Sequence, residues 1–80
     1  MLAYSLRLSA GHYAVLMEYA APGSEAHNAL MRVLPRPVGD DHRGLICKAK
    51  AIEELLDLAV RVCPDAVLEI SREIQINYPT

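Results

Sequence analysis

The chain has no tryptophan and no phenylalanine, and only four tyrosines carry its aromatic content. A core without Phe or Trp must be filled by aliphatic side chains, with Tyr supplying any ring contacts. No apolar run approaches the ~20 residues of a membrane helix. No basic segment precedes an apolar stretch in the manner of a secretory signal. There is no excess of positive charge: eight Lys and Arg face ten Asp and Glu, for a formal net charge of −2. Non-specific nucleic-acid binding needs a basic stripe to displace counterions, so the charge disfavours it. The acids are also interleaved with Arg and Lys, too sparsely for a phosphate mimic. The four glycines, Gly11, Gly23, Gly39 and Gly44, are scattered. No phosphate loop or dinucleotide fingerprint can be built from them.

What is present is a short, apolar chain. Eighty residues, 52% hydrophobic and 22% charged, exclude a disordered tail and allow one domain over residues 1–80. A domain of this size buries only ~60% of the surface its unfolded chain exposes, and such cores often gain from a partner subunit.

Leu2, Tyr4, Leu6 and Leu8 alternate with Ala3, Ser5, Arg7 and Ser9, the period of a half-buried strand. Ala10-Gly11 gives a turn signal. Tyr13, Val15, Met17 and Tyr19 then alternate with His12, Ala14, Leu16 and Glu18. The spacing predicts a β-hairpin over Leu2–Tyr19, with Leu16 as an apolar exception on its outer face. Pro22-Gly23 closes it. Ser24 suits a helix N-cap and Glu25 the first turn, with a short helix over residues 24–34 carrying Ala26, Leu30, Val33 and Leu34 on one face. Pro35 and Pro37 end it, and PRPVGDDHRG, residues 35–44, reads as the longest irregular segment.

Leu45-Ile46-Cys47 fits a short strand or the first turn of a helix; Gly44 and β-branched Ile46 favour the strand. Ile52, Leu55, Leu56, Ala59, Val60 and Cys63 then predict a helix over Ala49–Cys63 with a core-facing stripe. Lys50–Glu54 and Asp57–Arg61 are spaced as i,i+4 ion pairs on its outer side. Pro64 stops it. From Ala66 the period returns to two: Leu68, Ile70, Ile74, Ile76 and Tyr78 share one face, with Arg72 as the exception. That predicts a long strand with a bulge near Ser71-Arg72. The expected fold is α+β, a two-layer sandwich of order β-β-α-(β)-α-β, with a mainly antiparallel sheet and helices on one face.

No reaction is named by these residues. His12, His27 and His42 lack local ligand spacing and read as surface histidines. Cys47 and Cys63 have no CxxC context; they read as reduced, buried thiols in a cytoplasmic protein. No serine has a GxSxG setting. The four tyrosines fall on inward strand positions and read as core. The one dense polar cluster is Asp40-Asp41-His42-Arg43. Two neighbouring carboxylates supply too few oxygens for a divalent cation, so neither metal nor cofactor is expected. With Arg36 the cluster forms a candidate partner-binding set: Arg36, Asp40, Asp41, His42 and Arg43. Its mixed signs favour selective pairing, and the prolines lower the ordering cost. A solvated connector explains the same composition.

Two functional classes fit: a non-enzymatic protein that occupies a partner's surface, or a small oligomeric ligand-binding or catalytic domain whose site forms between subunits. Ala3, Ala14 and Leu16 would leave apolar groups on the hairpin's outer side, which predicts a homodimer. In overall plan, a hairpin over Leu2–Tyr19 followed by helix and strand over Ala49–Tyr78, the chain resembles the small phage- and mobile-element-encoded anti-CRISPR proteins directed at type I effector complexes. Those families share no motif, so the resemblance transfers no functional residue. It implies a stoichiometric, non-enzymatic inhibitor of a protein or ribonucleoprotein complex, without direct nucleic-acid or membrane contact.

Overall fold

A computed structural model describes residues 3–33 and 41–77, with side chains up to residue 74. The order is β1 (Ala3–Ser9), α1 (Ala10–Tyr19), α2 (Glu25–Met31), β2 (His42–Cys47), α3 (Ala49–Val62), a 3-10 turn (Pro64–Ala66), α4 (Val67–Glu73) and β3 (Ile74–Asn77). The fold is α+β. The sheet has the order β2-β1-β3, with both pairings antiparallel. β1 lies in the centre, Leu6 facing Leu45 on one side and Ile74 on the other.

The alternation of β1 sets which face is covered. Leu6, Leu8, Leu45 and Cys47 are buried, whereas Arg7 and Ile46 are exposed. The helices therefore close over one side of the sheet, and the core forms between the layers. α3 supplies Ala51, Ile52, Leu55, Leu58 and Ala59 to it. The stripe is rotated slightly from the expected one: Leu58 is buried and Val60 is 58% exposed. Neither expected i,i+4 pair on α3 closes. Among the described residues the ion pairs run between elements, Arg7 with Glu73 and His12 with Glu69.

The hairpin is corrected. Its first strand is β1, but residues 10–19 form a helix, α1. Ser9 is the reason at the boundary: its Oγ accepts the His12 N–H at 3.2 Å, satisfying one of the free donors of the first turn. Tyr13, Leu16, Met17 and Ala20 are spaced i, i+3, i+4 and i+7, so the same residues that alternate also fit a helical face. Leu16, the exception to the alternation, is fully buried. It therefore cannot serve the outer apolar face from which a dimer was expected, and Ala14, which is exposed, sits on the helix.

Past α1 the chain reverses at Ala21-Pro22-Gly23-Ser24. Ser24 N–H donates to the Ala21 carbonyl at 3.0 Å, and Gly23 has φ +83°. Proline followed by a positive-φ glycine is the pattern of a type II turn. Ser24 then caps α2, accepting the His27 N–H at 3.1 Å. α2 ends at Met31, earlier than expected, and Val33 makes an isolated antiparallel bridge to Leu45. Residues 45–47 are strand through their pairing with β1, Leu45 with Leu6, Ile46 with Ser5 and Cys47 with Tyr4.

The long C-terminal strand is corrected too. Residues 67–73 are helical and only Ile74–Asn77 are strand. Cys63, Ala66 and Ile70 are buried at helical spacing, while Leu68 is 61% exposed. Arg7 and Glu73 continue the β1–β3 register by one step beyond Leu6↔Ile74. The Arg7 Nε and Nη2 atoms donate to the two Glu73 carboxylate oxygens, each at 3.2 Å. This pair marks where α4 passes into β3.

Candidate functional site

The candidate partner-binding set divides. Arg36 and Asp40 lie outside the described residues. Asp41 is an exposed turn residue, and its carbonyl accepts the Ala10 N–H at 2.7 Å. This bond ties the turn to the first residue of α1. His42 and Arg43 were expected in an irregular segment; they are the first two residues of β2. His42 faces Ser9 and Arg43 faces Leu8 in the β1–β2 register. Both are half-buried, and Arg43 Nη1 reaches the His42 carbonyl at 3.4 Å. Asp41, His42 and Arg43 thus follow one another at the sheet end where β1 hands over to α1, with the strand alternation placing His42 and Arg43 on opposite faces of the sheet. Rigid strand backbone positions the last two, and a turn pinned by one short hydrogen bond positions the first.

The histidines are dispersed. His12 is in the first turn of α1, with Nδ1 3.8 Å from Glu69 Oε2 on α4. His27 is on α2, as expected. Among the described residues no group of three His, Cys, Asp or Glu side chains could hold a metal ion. Both cysteines are buried and free. Burial pushes the Cys47 thiol up from its ordinary value. For Cys63 burial acts first and the nearby Asp65 carboxylate adds to it. Less thiolate at neutral pH means a poor nucleophile, so these thiols act as small core groups.

The tyrosines do not all face inward. Tyr4 and Tyr13 pack partly against the core. Tyr13 Oη donates to the Leu30 carbonyl at 3.0 Å, capping the end of α2 with a side chain from α1. Tyr19 is 60% exposed, and Tyr78 lies outside the described residues. Tyr19, Met31, Ile46, Val60 and Leu68 are the large exposed apolar side chains among the described residues. Sequence reasoning missed all five as surface features. Helical phase could have found Leu68: it sits two positions before buried Ile70, on the opposite side of α4.

No family model, curated protein or solved structure matches this chain. No helix among the described residues is long and apolar enough to cross a membrane.

Proposed function

We propose that this chain is a non-enzymatic interaction module, a stoichiometric inhibitor that occupies the surface of a protein or ribonucleoprotein complex. The supporting observation is its exposed large apolar side chains. Tyr19, Met31, Val60 and Leu68 come from four different helices, and each is at least 58% exposed in a chain of 80 residues. Aromatic residues and Met are enriched where protein surfaces meet. The same side chains favour self-association into a homodimer. The buried thiols suit a reducing, cytoplasmic setting. The partner class proposed is a type I CRISPR surveillance complex, and Asp41, His42 and Arg43 with Arg36 and Asp40 form the proposed polar contact.

The experiment is direct. Purified chain is added to a type I surveillance complex, and target-DNA binding is measured against the molar ratio. Inhibition that saturates at a fixed small ratio supports the reading; unchanged DNA binding in large excess removes this partner. Asp41→Lys is the cleaner probe of the contact, because Arg43→Glu also alters a strand residue opposite Leu8. Asp41→Lys should leave the thermal midpoint nearly unchanged and weaken the complex at least tenfold, about 1.4 kcal/mol. Light scattering at micromolar concentration tests the dimer, and a clean 8.8 kDa species refutes it.

A further inference from the structure

We draw no further inference here: the strongest candidate, the cleft of about 130 Å³ bordered by Arg32 at the end of α2 and by Lys48 at the start of α3, rests on two exposed cations beside a helix N-terminus, and no second feature among the described residues points to an anion there.

Discussion

α1 and α3 each bury one leucine completely, Leu16 and Leu55, yet the two helices are held in different ways. α3 buries five residues along one stripe. Its N-cap, Lys48, contributes no side-chain hydrogen bond. α1 buries only Leu16 among its ten residues, and its apolar groups are spread around the circumference. It is oriented by specific bonds instead: the Ser9 cap, the Tyr13 hydroxyl on Leu30, and the Ala10 N–H on Asp41. A one-sided stripe orients a helix by burial alone. A helix without one needs directional contacts to choose which side faces inward.

The largest expected effect tests the burial half of that contrast. Leu55→Ala should destabilise the fold by about 2–5 kcal/mol in urea unfolding, from lost burial plus the cavity left behind. A change within about ±0.5 kcal/mol would place Leu55 outside the core. The cap on α1 comes next. Ser9→Ala should cost ~1 kcal/mol, whereas Lys48→Ala, at a cap that makes no such bond, should stay within about ±0.5 kcal/mol. Equal losses at the two caps would erase the distinction between the helices. The smallest effect is on the exposed side of α3: Val60→Ser should move the unfolding midpoint by no more than a surface change does, within about ±0.5 kcal/mol. A loss above 2 kcal/mol there would restore the stripe read from spacing alone.

The same contrast decides what could be read from the residues. α3 was legible because its apolar positions fit one period only, and its bounds were right to one residue. β1 was legible because Leu6 and Leu8 alternate with Arg7 and Ser9. The short strand at Leu45–Cys47 was recovered, although His42 and Arg43 were not seen to belong to it. α1 and α4 were misread because a short segment with apolar residues on several sides satisfies two periods at once. Tyr13, Val15, Met17 and Tyr19 fit a strand, and Tyr13, Leu16, Met17 and Ala20 fit a helix. The deciding signals were local: Ser9 as a cap, and Leu16 as an outlier from the strand pattern. At the C-terminal segment the decision lay in Ala66 and Ile70, four residues apart on one helical face. Of the candidate contact set, the exposed Asp41 was legible from turn chemistry.

The central place of β1 has a consequence for how the chain reaches its fold. β1 precedes both of its neighbours in the sheet, residues 42–47 and 74–77. During synthesis its two leucines find no strand partner until about half the chain has followed, and its second edge stays open longer still. The Arg7–Glu73 contact joins residues 66 positions apart. Closing such distant pairings slows folding relative to a helical bundle of equal length, and an unpaired apolar strand is the exposed hazard meanwhile. A ribosome-bound nascent chain halted before residue 74 would therefore present β1 with one edge bare, the stage at which a chaperone has most to hold.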